Sequence, residues 1–468
     1  MSNTRNEHDL IGNLEIDDRH LFGIQTQRAV ENFKISGVKL DFYKEFMKAF
    51  AIVKMAAADA NHQVGFLKKE IRDAICTACE EIIAGQHYEH FVVDMIQGGA
   101  GTSTNMNANE VIANRALEIL GHNRGNYQHC HPNNHVNMSQ STNDAYPTAL
   151  KIALMLAKDP LIQELNSLIG SLNSKAEAFR DILKMGRTQL QDAVPMTLGQ
   201  TFGSYATTLA EEIQRIENNA ALFLEVNMGG TAIGTGINTS SEYGECVIAS
   251  LAKFSKLEIV KAENLVEATQ DTGAFIMFSS AVKRLALKLS KMCNDLRLLS
   301  SGPRAGLNEI NLPAVQPGSS IMPGKVNPVI PEVVNQIAFK VMGNDLTVNL
   351  ASEAGQLELN AFEPIIAYSL FESMLMLKNG MRTLRELCIE GITANVEHCL
   401  DTVHNSIGLV TALSPVLGYE TCSSLAKEAL DSGDSIYNLV LRNKLLSKEE
   451  LDDILAPDKL TKPQLHKV

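Results

Sequence analysis

The sequence predicts an all-α fold built around a bundle of long helices. Three observations carry that expectation. Trp is absent and aromatics make up 5% of the chain, while Leu, Ile, Ala and Met abound, which favours helix over sheet. Phe275, Phe278, Val282, Leu285, Leu289, Met292, Leu296 and Leu299 alternate steps of three and four without a slip. That is a heptad seam, and such a helix spans roughly 35–40 Å at about 1.5 Å per residue. The seam returns further on in Ile330, Val334, Ile337, Val341, Asn344, Val348 and Ala351. Asn344 puts an amide into the stripe, at a register-setting or buried hydrogen-bonding position. Helices this long need apolar partners along their whole length, so the bundle is expected to be shared between subunits.

At 468 residues the chain is long for one core, and two or three domains are expected. A hydrophobic content of 45% and a charged content of 20% are those of a soluble globular protein. The net charge of −13 argues against general binding to nucleic acid or to an anionic membrane surface. Met1–Leu10 is polar, with no apolar core of a signal peptide, and no run is long enough to span a membrane. The eight cysteines (Cys76, Cys79, Cys130, Cys246, Cys293, Cys388, Cys399 and Cys422) are scattered. They read as reduced thiols of a cytoplasmic protein.

The first 48 residues are mixed and polar, which suggests short elements and loops. From Met47 to Ala84 the pattern is helical, divided at Gly65 and ended by Gly85. Cys76 and Cys79 form a CxxC spacing here but lack a second pair, so they read as small helix-packing residues. Asp94–Asn109 (DMIQGGAGTSTNMNAN) reads as an ordered polar loop, with a helix expected from Asn109 or Glu110. Such a junction offers free N–H groups and hydroxyls to an anion, or is capped by its own Thr and Asn side chains. His129, Cys130, His131 and His135 have ligand chemistry, but their spacing fits no zinc pattern and no acidic partner is near; no metal is expected. Ser141-Thr142-Asn143-Asp144 is a run of helix-capping side chains, with Pro147 placed in the first turn of the helix that follows.

Long helices come next. Leu165, Leu168, Leu172, Ala176, Phe179 and Leu183 fall at steps of three or four. Gly186–Gln200 interrupts, bringing Arg187, Thr188 and Gln189 to a bend before Pro195. Asn227–Thr239 is another Gly/Thr/Asn loop. Between the two seams lies Gly318–Pro328, GSSIMPGKVNP. Gly318, Pro323, Gly324 and Pro328 keep it from being helix or strand throughout. It carries Ser319, Ser320, Lys325 and Asn327 between rigid flanks, where mobile catalytic loops are found, although surface linkers share this composition. From about residue 397 the pattern breaks into short helical pieces, with a capping box at Ser447–Glu450, and reads as a small separate domain.

Four polar loops stand out: Gly99–Asn109, Asn137–Asp144, Arg187–Asp192 and Gly318–Asn327. Their order and wording resemble the fumarase/aspartase superfamily of lyases along essentially the whole chain. GSSIMPGKVNP is similar to that superfamily's signature loop, and SSGPRAGLNEI before it and EVVNQ after it extend the match. GGAGTSTNMNANEVIANRA and HVNMSQSTNDAYPT are similar to two further family regions. Gly99–Thr104, the STND run and VIPEVVNQ resemble the aspartase branch more than the fumarases. Gln189 stands where fumarases, and many relatives, carry His, which weakens a hydratase reading.

The resemblance implies an all-α subunit of three domains, 1–142, 143–396 and 397–468. The long helices of the central domain would join in a homotetramer, with each active site drawn from three subunits. It implies deamination of L-aspartate to fumarate and ammonia, with no cofactor. The hard step is removal of a proton from Cβ, which leaves the adjacent carboxylate doubly charged. By family match Ser319 would be the base. Thr188, Lys325 and Asn327 would hold the carboxylate that takes the charge. Thr102, Ser141 and Thr142 would hold the other carboxylate, joined by Ser320, while Asn143 and Thr102 lie near the amino group and Gln189 makes a hydrogen-bonding contact. The alternatives are a fumarate hydratase or other fumarate-releasing lyase of the same fold, and a catalytically silent helical scaffold.

Overall fold

The computed structural model describes residues 4–461. β1 (Thr4–Asp9) and β2 (Gly12–Asp17) form an antiparallel hairpin, followed by α1 (Ile24–Asn32), α2 (Lys44–Gln63) and α3 (Lys69–Ile83). Every residue of α2 from Ala49 to Asn61 is buried, as a helix that is apolar nearly all round must be. Gly65 and Gly85 take the left-handed conformation just past α2 and α3, the position where glycine costs least.

α4 runs Thr102–Ile119 and therefore starts seven residues before the expected Asn109. The Thr/Ser/Asn run reads as loop because these side chains compete for backbone hydrogen bonds. Here they are spent elsewhere. Asn107 receives the Val92 N–H at 3.0 Å and donates to His90 O at 2.9 Å, and Asn109 donates to Asn137 Oδ1 at 3.1 Å. Gly101, at φ 89°, caps the helix. A Cβ there would lie 2.2 Å from the Tyr146 ring, so only glycine fits.

α5 runs Thr142–Ala178 and contains Pro147 in its second turn. Leu183, which continues the helical spacing, belongs instead to β3 (Leu183–Thr188), the partner of β4 (Gln191–Thr197) in a second antiparallel hairpin. The bend expected at Thr188 and Gln189 is its turn, with Gln189 and Leu190 at positive φ. α6 (Leu198–Ala220), α7 (Ser241–Ser255) and α8 (Leu265–Gln270) lead to α9 (Gly273–Leu299). All eight seam residues of α9 are buried. α10 (Val329–Glu353) and α11 (Glu363–Leu387) complete the long helices. On α10 the seam residues Val334, Val341, Asn344, Val348 and Ala351 are buried, and Ile330 and Ile337 are half-buried. The last six helices are short: α12 (Val396–Asn405), α13 (Val410–Leu417), α14 (Tyr419–Ser432), α15 (Ile436–Arg442), α16 (Lys448–Ile454) and α17 (Pro457–Leu460). The expected capping box is present at α16, with Ser447 N–H on Glu450 Oε2 at 2.9 Å and Glu450 N–H on Ser447 Oγ at 3.2 Å. Among the described residues no helix is long and apolar enough to cross a membrane.

The chain divides into two compact units, and the division falls within five of the long helices. One holds the chain up to Ile162, Gln214–Arg284 and Phe339–Met376; the other holds Gln163–Ile213, Leu285–Ala338 and the chain from Leu377. In the first, Phe46 packs on Phe50, Tyr146 and Phe371 with ring centroids 5.0–5.4 Å apart. There the Asn344 amide donates to Ser369 O, Glu372 Oε2 and Ser373 Oγ at 2.9–3.2 Å, so the polar residue in the seam is a buried hydrogen-bonding position. In the second, Leu183 and Met185 of β3 share one apolar cluster with Val403, Leu413, Leu425, Leu439 and Leu451. The short C-terminal helices thus seat the β3–β4 hairpin.

Leu289, 1% exposed in the α9 seam, should cost about 2–5 kcal/mol when truncated to alanine. The midpoint of urea unfolding of Leu289→Ala measures this, and a shift worth less than about 1 kcal/mol would contradict the seam.

Candidate active site

A serine, threonine or asparagine just before a helix can accept a free N–H of its first turn. The start of α5 is built this way. Ser141 Oγ accepts the Asn143 N–H at 3.2 Å, and Asp144 Oδ1 reaches back to the Ser141 N–H at 2.9 Å. The other oxygen of Asp144 takes the N–H groups of Gly229 and Thr231 at 3.2 and 2.9 Å. Burial pushes the Asp144 carboxyl up to about 6, against these N–H donors, which pull it down. Asn143 is tied to the same loop. Its Nδ2 donates to Ala232 O at 2.8 Å, and its own carbonyl receives Asn227 Nδ2 at 2.9 Å. Thr142 Oγ1 accepts Asn105 Nδ2 at 3.2 Å. The Ser141 and Thr142 oxygens each already accept an N–H, so both hydroxyl protons remain to be donated. Thr102 is different: its hydroxyl donates to Gly99 O at 2.8 Å, which leaves its lone pairs outward.

The other candidates lie in the second unit. Gly318 N–H bonds Lys325 O at 2.8 Å, and Asn327 Nδ2 bonds Gly318 O at 2.5 Å. These two bonds pinch the loop into a ring whose tip carries Ser320, Ile321, Met322 and Lys325, all exposed. A Cβ on Gly318 would lie 2.5 Å from Lys325 O, so the pinch requires glycine. Ser319 Oγ accepts two N–H groups, from Ile321 at 3.2 Å and Met322 at 3.0 Å. Donors aimed at a hydroxyl oxygen favour its ionised form. Thr188 and Gln189 stand exposed at the tip of the β3–β4 hairpin.

The chain therefore gathers the ten candidate residues into three groups. Thr102, Ser141, Thr142 and Asn143 lie in the first unit. Ser319, Ser320, Lys325 and Asn327 form one loop of the second, and Thr188 with Gln189 form another. A cleft of about 660 Å³ in the first unit is lined by His8, Arg28, Glu110, His131 and Asn133, and by none of the ten.

Two charged features escape a reading of the sequence. Glu309 is fully buried and pairs with Arg187, and with Lys184 at 3.1 Å; these hold the strand that ends in Thr188. Lys54, wholly buried in α2, bonds Asn105, the residue that bonds Thr142. A lone lysine inside the apolar run FAIVKMAAADA is the signal that could have found it. The histidine cluster serves the backbone. His131 Nδ1 accepts the N–H groups of Asn133 and Asn134, and His135 Nδ1 accepts that of His131. Elsewhere His87, Glu89 and His90 bring one ligand atom each within 4.8 Å of one another, the one such group among the described residues and separate from the ten.

Residues 12–343 match the family described as Lyase, and residues 409–462 match the fumarase C C-terminus. The chain belongs to this lyase family. It is 58% identical to the aspartate ammonia-lyase of Pseudomonas aeruginosa, over 99% of this chain and 98% of that one. It is 57% identical to that of Helicobacter pylori, over 99% of each chain. The figure is 52% for that of Escherichia coli, over 99% of this chain and 97% of the other. Among solved structures, a Brucella melitensis protein described as fumarate lyase:delta crystallin bound to cobalt superposes with a TM-score of 0.95 at 55% identity, covering 98% of this chain and 100% of that one. The class II fumarase of Schistosoma mansoni superposes at 0.89 with 34% identity, covering 97% and 98%.

Truncating Glu309 to alanine strands two cations in a buried site, which should cost about 3–5 kcal/mol. The melting temperature should fall by several degrees, because the strand that ends in Thr188 loses its support. An unchanged melting temperature would mean the ion cluster carries no load.

Proposed function

We propose that the protein catalyses the reversible deamination of L-aspartate to fumarate and ammonia. It is a carbon–nitrogen lyase. The observation that carries the reading is the end-to-end likeness to aspartate ammonia-lyases, well above the likeness to a class II fumarase. Gln189, in place of a histidine, agrees with it, since a glutamine cannot take a proton from water.

In the mechanism we favour, Ser319 as an alkoxide takes the proton from Cβ. The electron pair moves onto the adjacent carboxylate, which becomes an aci-carboxylate with two negative charges. That charge then returns to form the Cα–Cβ double bond as the Cα–N bond breaks, and the amine leaves as ammonia. The support for Ser319 is its pair of N–H donors, a cradle that lowers the cost of the alkoxide. Lys325 makes no hydrogen bond with its ammonium among the described residues and is free to meet the charged carboxylate with Asn327 and Thr188. Ser141 and Thr142, with donor protons to spare, suit the second carboxylate. Thr102, which presents lone pairs, and Asn143 suit the substrate ammonium. Gln189 and Ser320 complete the contacts. Closure of the 318–328 loop would expel water and strengthen each of these interactions.

The assembly we propose is a homotetramer of three-domain subunits, with a shared helical bundle and sites completed between subunits. Its support is a second apolar stripe on α10, opposite the buried one: Phe339, Leu346 and Leu350 are 60–61% exposed in the single chain. A cytoplasmic location agrees with the eight free thiols.

Incubation with L-aspartate should release fumarate, read by its ultraviolet absorbance, and fumarate with ammonium should return aspartate. Malate from fumarate alone, without aspartate, would overturn the reading in favour of a hydratase. Ser319→Ala should lower kcat by about 10²-fold or more with the fold intact. Full activity in that variant would remove Ser319 as the base.

A further inference from the structure

A buried lysine ordinarily sits against a carboxylate, because an unpaired charge away from water is costly. Lys184 obeys this, paired with Glu309. Lys54 does not. Its side chain is wholly enclosed, and its ammonium donates to Asn105 Oδ1 at 2.6 Å, Gln140 Oε1 at 2.9 Å and Asn137 Oδ1 at 3.0 Å. Three donors meet three acceptors, so the nest is complete for the charged form. A neutral amine has only two N–H groups and would leave one amide oxygen facing a lone pair. All three acceptors are uncharged, so the hydrogen bonds bring no counter-charge, and the nearby Asp144 carboxylate acts on the ammonium only through space.

The titratable groups that face Lys54 are Asp144 on α5 and Cys79 on α3. Asp144 spends its oxygens on the N–H groups of Ser141, Gly229 and Thr231. Cys79 is a buried thiol, held neutral by burial, which raises its pKa well above the usual range. The nest is wired to the start of α5. Asn105 accepts a Lys54 N–H on Oδ1 and donates through Nδ2 to Thr142 Oγ1 and to Asn137 Oδ1, at 3.2 and 3.1 Å. An amide whose oxygen binds a cation is a stronger N–H donor. Thr142, accepting that N–H, keeps its own proton for donation.

We propose that Lys54 is a positioning residue: a buried ammonium that acts through Asn105 to aim the Thr142 hydroxyl and serves as counter-charge to the substrate carboxylate at the start of α5. This rests on the reading above, in which Ser141 and Thr142 hold a carboxylate. One consequence separates it from a purely structural role. Burial pushes the Lys54 ammonium down to about 7, so slightly above neutrality the empty protein has largely lost this proton. An arriving carboxylate favours the charged form, so binding takes up a proton. The apparent affinity should therefore weaken as pH rises from 7 to 9.

Succinate, a dicarboxylate of the same length with no leaving group, serves as the probe. Calorimetric titration of the whole protein at pH 8, in two buffers of different ionisation enthalpy, counts the protons. Uptake of a substantial fraction of one proton per site is expected, and none in Lys54→Met. One pKa unit of coupling is at most about tenfold in binding and about fivefold at pH 7, where the empty nest is half charged, so KM for L-aspartate should rise several-fold at pH 7, with kcat changed less. Asn105→Asp gives the same test without emptying the nest, since it answers the charge in place and removes the donor to Thr142. It should raise KM and abolish the uptake. Succinate binding to the unmodified protein without proton uptake at pH 8 overturns the proposal, as does an unchanged KM in either folded variant. Failure of the unmodified protein to release fumarate from aspartate would instead overturn the activity.

Discussion

The Asp144 carboxylate collects three backbone N–H groups, from Ser141, Gly229 and Thr231, and so ties the start of α5 to the loop before α7. Those donors would otherwise be orphans in a buried place, each costing about 1–3 kcal/mol. Burial works against the charge, yet with a pKa of about 6 the carboxyl is still ionised at neutral pH. A negative group in the first turn also suits the helix dipole. With this anchor in place, Ser141, Thr142 and Asn143 have fixed directions. Their hydroxyl protons and amide are presented by a rigid frame rather than found by a flexible one.

The loop at Gly318–Pro328 is organised on the opposite principle. It is pinched at its base by two hydrogen bonds and exposed at its tip, where Ile321 and Met322 stand in solvent. Apolar side chains on a glycine-bearing loop are poorly placed in an open state and better placed in a closed one. One part of the candidate machinery is thus held in a buried frame and the other stands exposed on a loop. A weak carbon acid needs both: a fixed cradle for the charge, and a base brought to Cβ only once water has gone.

The parts of the fold that were legible in the sequence are those where a single period decides. The α9 seam is read correctly because each of its eight residues is buried by the same face of one helix. The start of α4 is misread because its asparagines find their partners in distant segments, Val92, His90 and Asn137, and a local pattern contains none of them. Leu183 fits the helical spacing but joins a strand, since its burial is decided by the C-terminal helices, some 220 residues away or more. At the candidate site, family wording pointed to polar side chains in loops, at helix starts and at a strand end. It did not single out Lys54, which belongs to no polar motif, or Glu309, which lies inside SSGPRAGLNEI without any local sign of its partners. One is hidden in an apolar helix, and the other is a single acid whose partners are 122 and 125 residues earlier in the chain.

The chain carries a net charge of −13, yet its proposed substrate carries two carboxylates. Long-range attraction cannot bring them together, and at physiological salt charges farther apart than about 8 Å are largely screened. Recognition must be made by groups at contact distance. An exposed lysine does this weakly, since water competes for its charge. A buried one does it strongly, because the medium around it screens little, but only if the protein can tolerate the charge while the site is empty. The amide nest of Asn105, Asn137 and Gln140 is a way to tolerate it. Three uncharged oxygens satisfy the ammonium's hydrogen bonds and bring no charge of their own against it, which leaves only the Asp144 carboxylate to offset it through space. A carboxylate in their place would stabilise the empty protein more and would bind the substrate less.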